Sequence, residues 1–512
     1  MSAAGAGPPR PNLLVIMTDQ QKATAIDLYG GPVRTSGLAR LARAGTVYEQ
    51  AYTPHPLCVP ARVSFWTGRW PHSHGARTNE VAMPRGEAHF AAVLRAAGYR
   101  LGLFGKNHCF TAEDLGACFE RVFEAGHGDR IGEGVTRVVS APPRTPLRPD
   151  PGTVARPVAR VRAEPPQESA TFRVTEEAIR FLEAHAGGDR PLALWVSIPD
   201  PHGPLQAPEP YASRYPPATV PLPPWRPDEL ERKPQRQRVF SDLLHYGDLT
   251  ATDVRLAAGI YYGMIDFLDE RVGVLLDALE RLGLRRDTLV AFTSDHGEYL
   301  GEHHLLGKSN AFYDCLTRVP LLLSWPGRLP EGARRPEAVS TLDVMPTLLT
   351  LAGVPLPDGV QGQPLPGTPG APPARAAVFS EYGAGGPAVT PEVARRRCPP
   401  GQPRRTPPLL REREGEGHAK MVRTARWKYT YDPLAPGDEE LYDLQADPWE
   451  LTNLAADPGA AATVGDLRRH LLDWLLRHEN ARPVPLAFRP FWDGPAPAAV
   501  AGPAPGGGLL AR

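Results

Sequence analysis

The chain has 512 residues, with 57 basic and 57 acidic side chains and therefore no net formal charge at neutral pH. A single hydrophobic core rarely grows beyond about 250 to 300 residues, so this length predicts one large domain and one smaller one. The balanced charge argues against the strong positive field that draws a protein to nucleic acid or to an anionic membrane, and we expect neither as a partner.

The first segments of the chain alternate short apolar runs with helical patterns, which is typical of parallel βαβ units. "NLLVIMTD" predicts a buried strand that ends at Asp19, and "GLARLARAG" predicts a helix before a strand around Val47. "AAVLRAAGYRLGLFGK" predicts a helix and then a strand that ends at Lys106. Because ligands of open α/β sheets bind beyond the carboxyl ends of the strands, polar residues at these positions are candidates for a site.

The pattern recurs further along the chain. "PLALWVSIPDPHGP" predicts a strand followed by a loop that carries Asp200 and His202, and "TLVAFTSDHGE" predicts a strand followed by Asp295 and His296. Between them, "GIYYGMIDFLDERVGVLLDALERLG" has the longest helical period in the chain. We therefore expect the four strand ends to converge on one crevice.

Composition divides the chain into regions. The βαβ pattern predicts a large α/β domain over residues 1–370, and alternating short strands and turns predict a smaller α+β subdomain over residues 371–493. Two stretches rich in Pro, Arg and Gly, about 126–168 and 383–417, are predicted to be long surface loops or partly disordered insertions. The tail 494–512 is predicted to be disordered.

Two observations concern the cellular compartment. The five cysteines are an odd number at irregular spacing, which does not indicate a disulfide framework. The N-terminal segment has only the short apolar run 13–17, too short for a signal peptide or a membrane span. Reduced thiols and a cytoplasmic location are the expectation.

The segment "PLCVPARVSFWTGR" contains the spacing Cys58-x-Pro60-x-Arg62. A chain rich in proline and arginine can produce this spacing by chance, and a buried inert thiol is then the simplest interpretation of Cys58. The alternative is a precursor of a catalytic group. The continuation "TGR" favours the alternative, since it extends the pattern in the form that one enzyme family uses.

With that continuation, the segment resembles the type I sulfatases of the alkaline phosphatase superfamily. Further segments stand in that family's order, among them "LLVIMTDQQ", "GKNH", "PDPHGP", "TSDHGEYLGEHHLLGKSNAFYD", "VPLLLSWPG", "DVMPTLLTLAGVP" and "LYDLQADPWELTNL". The resemblance covers nearly the whole chain. It implies an α/β fold with a large, mostly parallel sheet between helices and a smaller C-terminal α+β subdomain containing an antiparallel sheet. It also implies that a formylglycine-generating enzyme oxidises Cys58 to formylglycine.

Carboxylates with neighbouring neutral donors suit a divalent cation. The resemblance implies that the metal ligands are Asp19, Gln20, Cys58, Asp295 and His296. The Asp-Gln and Asp-His pairs resemble the bacterial branch that includes phosphonate monoester hydrolases and choline-sulfatase-like enzymes. Calcium is usual in sulfatases and manganese is often found in the phosphonate branch, so Ca²⁺ is the first expectation and Mn²⁺ and Mg²⁺ are the alternatives.

A sulfate ester carries a spread negative charge, and cations are needed beside the metal to bind it. The candidates are Arg62, Lys106, His108, His202 and Lys308. By resemblance, Arg62 and Lys106 hold the formylglycine, His202 and Lys308 contact the sulfate oxygens and the leaving group, and His108 acts as the base.

Three further polar residues have two interpretations each. Asn79, in "HGARTNE", is a substrate-binding candidate or a turn-forming residue. His303 and His304 look like metal ligands, but we expect them to have a structural role or to lie at the rim of the site.

The resemblance implies a metal-dependent hydrolase that cleaves a small-molecule or saccharide sulfate ester, or a sulfamate, through a covalent sulfo-enzyme intermediate. A phosphonate monoester or phosphodiester is the alternative substrate, because it presents a similar tetrahedral anion. A non-catalytic binding relative is the remote alternative. The alcohol part of the substrate and the oligomeric state stay open.

Overall fold

The computed structural model describes residues 10–136, 159–226, 228–244, 246–397 and 412–479. Its largest element is a ten-stranded sheet. The strands are β1 (Asn12–Thr18), β2 (Thr46–Tyr52), β3 (Arg100–Gly105), β4 (Arg121–Gly126), β5 (Arg130–Ile131), β7 (Leu192–Ile198), β9 (Thr288–Ser294), β10 (Arg318–Val319), β11 (Leu321–Ser324) and β12 (Ala333–Ser340). A separate pair joins β6 (Arg160–Val161) to β8 (Gln206–Ala207).

The centre of the large sheet is parallel. Strand β1 lies between β9 and β7 and is parallel to both, and β3 and β4 continue the parallel order on the β7 side. On the other side, β11 is antiparallel to β9 and to β2. Strands β7 and β9 are buried at every position, as expected for strands covered on both faces. The large, mostly parallel sheet predicted from the sequence is therefore confirmed.

Helices cover both faces of this sheet. They are α1 (Ser36–Arg43), α2 (Cys58–Thr67), α3 (Pro71–His74), α4 (Phe90–Ala96), α5 (Ala112–Cys118), α6 (Ala170–His185), α7 (Gln235–Leu244), α8 (Ala251–Arg281), α9 (Asp314–Thr317) and α10 (Val344–Leu351). Alternate residues of β1 point to opposite faces. Leu14 and Ile16 share a core with residues of α1, α6 and α8, whereas Val15 shares the opposite core with residues of α2, α4 and α10.

A smaller unit follows the large sheet. Strands β13 (Val378–Glu381), β14 (Lys420–Arg423), β15 (Trp427–Tyr431) and β16 (Glu440–Asp443) form an antiparallel sheet, and helix α12 (Ala461–His478) packs on it. This is the predicted antiparallel α+β unit, and Trp70 of the large domain joins its apolar core. The domain boundary near residue 370 stays a prediction.

The stretches predicted as loops contain short regular elements where they are described. Strands β5 and β6 lie in the first stretch, and helix α11 (Pro391–Arg397) lies in the second. Residues 137–158 and 398–411, and the predicted disordered tail, lie outside the described residues. Among the described helices, none combines the length and the apolar composition needed to cross a bilayer.

Candidate active site

The site begins at the carboxyl ends of β1 and β9. These neighbouring parallel strands end in register, with Thr18 beside Ser294, so that Asp19 and Asp295 follow at the same edge. Both aspartates are buried. Asp295 Oδ1 accepts the backbone N–H of Gln20 at 3.1 Å and that of His296 at 2.9 Å. The two predicted carboxylates therefore lie side by side in fixed orientations.

Helix α2 brings the Cys-x-Pro-x-Arg segment to these carboxylates. Cys58 is its first residue and Arg62 follows about one turn later. The buried Arg62 guanidinium donates to Asp295 Oδ2 at 2.9 Å (Nε) and to Asp19 Oδ2 at 3.3 Å (Nη2), and to Ser197 Oγ at 2.7 Å (Nη1). Unpaired buried charges are costly, so this spacing supplies the cation that the carboxylates require.

Cys58 faces a mixture of cations and ligand atoms. Its Sγ lies 3.3 Å from His296 Nε2, 3.4 Å from Lys308 Nζ and 3.9 Å from Asp19 Oδ1. Burial and the Asp19 carboxylate act to raise the pKa of the Cys58 thiol, but Lys106, Lys308 and His296 outweigh them and hold it well below its usual range. The position of Sγ therefore favours a negatively charged atom.

The donor atoms around Cys58 fit a divalent cation. Asp19, Cys58, Asp295 and His296 each place one ligand atom within 4.8 Å of the others, and all four residues are buried. Metal–ligand bonds of about 2.0 to 2.6 Å can span such a group. His296 Nδ1 lies 3.0 Å from Gly297 O, which leaves Nε2 facing the cluster, as is common for histidines that bind metal.

Gln20, the fifth predicted ligand, stands at the edge of this cluster. Its Oε1 accepts a hydrogen bond from Lys308 Nζ at 2.8 Å, and its Nε2 donates to Glu298. The amide oxygen is thus oriented toward the cations of the site. Its role as a metal ligand stays a prediction.

The ends of β3 and β4 add a second group of side chains. Lys106 follows β3, and its Nζ pairs with Asp19 and lies 3.0 Å from His127 Nε2. His127 Nε2 also lies 3.3 Å from Asp19 Oδ2. The His127 ring stacks on that of His202 with centroids 3.6 Å apart and planes within 1°. Burial lowers the pKa of both imidazoles, and it is reinforced by His202 and Lys106 for His127 and by Lys308 and Lys106 for His202.

His127 was missed by the sequence reasoning. It directly follows β4, so it obeys the same rule as Asp19 and Lys106. The segment "RVFEAG" carries charged residues and lacks a long apolar run, so it gave no strand signal. Had that strand been identified, the histidine after it would have been a candidate.

His108 is a candidate to accept a proton. Its Nδ1 is buried and has no hydrogen-bond partner among the described residues. Burial, followed by the Lys106 ammonium, lowers the pKa of His108 to about 4, whereas contact with Cys58 acts in the opposite direction. A neutral imidazole next to residue 58 agrees with the predicted role as a base, which stays a prediction.

Asn79 contacts protein groups. Its Oδ1 accepts the backbone N–H of Val59 at 3.0 Å, and its own N and Nδ2 donate to the two oxygens of Glu414 at 3.0 and 2.9 Å. Burial raises the pKa of Glu414 to about 7, although Asn79 acts against it. The predicted contact of Asn79 with substrate stays a prediction, and Glu414 was missed because it lies in a stretch predicted as a loop.

His303 and His304 contact residues outside the candidate metal cluster. His303 is buried, with Nδ1 2.5 Å from Glu229 Oε1 and its ring 3.8 Å from that of Tyr313. The His304 ring packs against Trp225 with centroids 4.6 Å apart. These contacts agree with the structural or rim roles expected for them.

Comparisons with known proteins identify the family. The Sulfatase family model matches residues 11–354. The choline-sulfatase of Rhizobium meliloti is 31% identical over 478 residues, which cover 88% of this chain and 83% of that protein. The "Uncharacterized sulfatase YidJ" of Escherichia coli is 30% identical over 366 residues, 69% of this chain and 70% of that protein.

The fold agrees with this result. The crystal structure of the phosphonate monoester hydrolase of Agrobacterium radiobacter is 26% identical, with a TM-score of 0.72, and the match covers 92% of this chain and 96% of that one. The family match takes in the strand ends that carry Asp19, Lys106 and Asp295, and the helix that carries Cys58. The chain belongs to the sulfatase family of the alkaline phosphatase superfamily.

Proposed function

We propose that the protein hydrolyses sulfate esters, with residue 58 converted from cysteine to formylglycine and one divalent cation beside it. The observation that carries the proposal is the position of Cys58 Sγ, at 3.4 Å from Lys308 Nζ and 3.3 Å from His296 Nε2, at the start of α2. Sγ marks the place of the reacting oxygen of the converted side chain. The sulfatases that the chain resembles support this substrate class.

The cation would be held by Asp19, Gln20, Asp295, His296 and residue 58. When bound, a divalent cation polarises a sulfate oxygen and lowers the pKa of a coordinated hydroxyl. Arg62 bonds to the Oδ2 atoms of both aspartates, and the Oδ1 atoms, each 3.7 Å from His296 Nε2, would be left for the cation. Calcium is the first expectation for this ion, with manganese and magnesium as alternatives.

The conversion of Cys58 would supply a hydrated aldehyde, which offers one hydroxyl as a nucleophile and a second hydroxyl that can lose its proton. His108 would take that proton, because its imidazole is neutral, contacts residue 58 and has a buried Nδ1 without a partner among the described residues. A serine at this position has a single hydroxyl and lacks the second step.

The cationic side chains would bind the sulfate group. Lys308 Nζ, which bonds to Gln20 Oε1 and to Cys58 Sγ, would offer a positive charge to a sulfate oxygen during attack. Lys106 partly neutralises Asp19, which otherwise repels the anion. His202, fixed by the Nδ1 contact with Gly203 O at 2.7 Å and by the His127 ring, would face the leaving group.

A phosphonate monoester or phosphodiester is the second candidate substrate. Gln20 beside Asp19, and His296 beside Asp295, favour it because these pairs resemble the branch that includes phosphonate monoester hydrolases. The match to a solved phosphonate monoester hydrolase supports the same alternative. Both substrates present a tetrahedral anion to the same side chains, so the assay must include both.

The test uses protein produced together with a formylglycine-generating enzyme. We expect 4-nitrophenyl sulfate and choline sulfate to be hydrolysed with kcat/KM at least about tenfold above that for phenyl phosphonate monoesters, a difference of about 1.4 kcal/mol in activation free energy. The peptide containing residue 58 should lose about 18 Da, since the thiol is exchanged for an aldehyde. A higher kcat/KM for the phosphonate would replace the first candidate by the second.

A chelator supplies a further control in the same assay. EDTA should abolish turnover, and addition of Ca²⁺, Mn²⁺ or Mg²⁺ to the stripped protein should restore it and identify the ion. Activity that survives complete removal of divalent cations would contradict the metal site.

A further inference from the structure

The start of helix α2 is capped by a residue that is distant in the sequence. The first N–H groups of a helix have no acceptor within the helix, and a side chain at the N-cap position usually supplies one. Leu57, the N-cap residue of α2, has no side-chain oxygen, and Pro60 has no N–H. The N–H of Val59 donates instead to Asn79 Oδ1 at 3.0 Å. Asn79 thus replaces a local cap next to residue 58.

The orientation of the Asn79 amide depends on Glu414. When ionised, above its pKa of about 7, the Glu414 carboxylate accepts and does not donate, so the Nδ2 end of the Asn79 amide faces Glu414 and the Oδ1 end is left for Val59. The two bonds from Asn79, through N at 3.0 Å and Nδ2 at 2.9 Å, reach the two different oxygens of Glu414. Without the carboxylate, the amide can rotate and present N–H groups to the Val59 N–H.

The residues on both sides of Glu414 are hydrogen-bonded to other parts of the chain. Its neighbour Arg413 donates to Asn310 Oδ1 at 3.0 Å, two residues after Lys308. Its other neighbour, Gly415, accepts at its carbonyl the N–H groups of Ala384 at 3.0 Å and Gly386 at 2.7 Å. The segment lies beyond residue 354, where the family match ends. A part of the chain outside that match therefore connects, through Asn79, to the start of the helix that carries residue 58.

We propose that Glu414 is a positioning residue for the reacting group at residue 58, acting through Asn79 on the first turn of α2. The inference rests on the proposed function of residue 58 as the nucleophile. A displacement of about 1 Å at a reacting atom can lower the rate by about 100-fold. Because Glu414 acts through the position of the nucleophile, its loss should lower kcat and leave KM nearly unchanged.

The kinetic test compares Glu414→Ala, Glu414→Gln, Asn79→Ala and the double variant with Glu80→Gln as the control. Glu80 is an exposed carboxylate next to Asn79 in the chain. We expect kcat to fall about 10- to 100-fold in Glu414→Ala and in Asn79→Ala, with KM within about threefold of the wild type. Glu414→Gln, which keeps one acceptor, should retain more activity, and Glu80→Gln should match the wild type.

The double variant separates a shared path from two independent effects. If Glu414 acts through Asn79, the activity of the double variant should equal that of the less active single variant, because both changes break one connection. Multiplied losses in the double variant would overturn the inference, as would an unchanged kcat in Glu414→Ala. Thermal melting of each variant checks folding, and the isosteric Glu414→Gln carries the test if Glu414→Ala fails to fold.

Amide hydrogen exchange tests the same geometry without any substrate. In unconverted protein, the first turn of α2 should exchange faster in Glu414→Ala and Asn79→Ala than in the wild type and in Glu80→Gln, since the Val59 N–H loses its acceptor. Unchanged exchange there would overturn the inference. If the wild type hydrolyses none of the esters but the variants differ from it in exchange as expected, the proposed function is rejected and the positioning of α2 by Glu414 is retained.

Discussion

Cys58 and Cys109 are both buried thiols, 2% and 0% exposed, near the same edge of the large sheet, yet their surroundings differ. Around Cys58, Lys106, Lys308 and His296 overcome the effect of burial and hold the pKa of the thiol well below its usual range. Around Cys109, burial dominates and raises the pKa of the thiol. Burial therefore does not prepare a cysteine for chemistry, and the cations placed around it do.

The two regions also differ in what holds the sulfur. Cys109 belongs to an apolar cluster with Trp66 and Phe110. Its Sγ lies 4.0 Å from Asn107 Oδ1. Cys58 lies instead among ligand atoms that a cation can bridge. A single chain thus contains an inert structural thiol and a thiol in a site for anions, and substitutions can test each side of the contrast.

The largest effect is expected at residue 58. Cys58→Ala removes the reacting group and should lower kcat/KM for sulfate esters by at least about 1,000-fold, because nucleophile and base act as a unit. The measurement is steady-state hydrolysis of 4-nitrophenyl sulfate by protein produced together with the formylglycine-generating enzyme.

Cys109→Ala is the matched control for that measurement. It removes an equally buried sulfur, and its kcat/KM should stay within about twofold of the wild type. Comparable losses in the two variants would show that the contrast between the thiols has no functional meaning. Full activity of Cys58→Ala would reject residue 58 as the nucleophile.

A smaller effect is expected for Lys308, one of the cations beside Cys58. Lys308→Ala removes the ammonium 3.4 Å from Sγ and should lower kcat/KM by about 100- to 1,000-fold, the range for one group that stabilises developing charge. Lys308→Arg should restore little of this loss, since a planar guanidinium cannot replace a compact charge that also bonds to Gln20 Oε1 at 2.8 Å.

The control for Lys308 is a cation at a distance from the site. Arg334 is about half exposed and pairs with Glu49 at the β2–β12 side of the sheet. Arg334→Ala should leave kcat/KM unchanged, because an exposed ion pair contributes little beyond its own surroundings. If Lys308→Ala were equally harmless, the proposed binding of the sulfate group by Lys308 would be wrong.

Much of this site follows from sequence, for a physical reason. Parallel strands end at a common edge, so apolar runs followed by Asp19, Lys106 and Asp295 place these residues together without any long-range information. Cys58 and Arg62 were identified from the spacing Cys58-x-Pro60-x-Arg62 and its "TGR" continuation, which resemble the type I sulfatases, and the structure places them about one helical turn apart. The same logic predicted the large sheet, whose central strands are apolar on both faces.

The remainder could not be read from local pattern. Strand β4 carries charged residues, so the position of His127 at its end was hidden. The contact between Asn79 and Glu414 joins residues 335 positions apart, and Glu414 stands in a stretch whose composition indicates a loop. Likewise, helix α11 formed within that stretch although its composition favours irregular structure. Contacts of this kind form only in the assembled fold, and neither hydrophobic periodicity nor a sequence motif predicts them.

The smallest effect on activity, and a clear effect on stability, is expected for Cys109→Ser. The change puts a hydroxyl into the apolar cluster around Trp66 and Phe110, where it loses hydrogen bonds to water, so the free energy of unfolding should fall by about 1 to 3 kcal/mol. Urea denaturation measures that loss, and kcat of the folded protein should change less than about twofold. Cys109→Ala, which adds no polar group, separates the hydroxyl from the cavity. A larger loss of kcat than of stability in Cys109→Ser would mean that Cys109 acts on the reaction, and the contrast between the two thiols would fail.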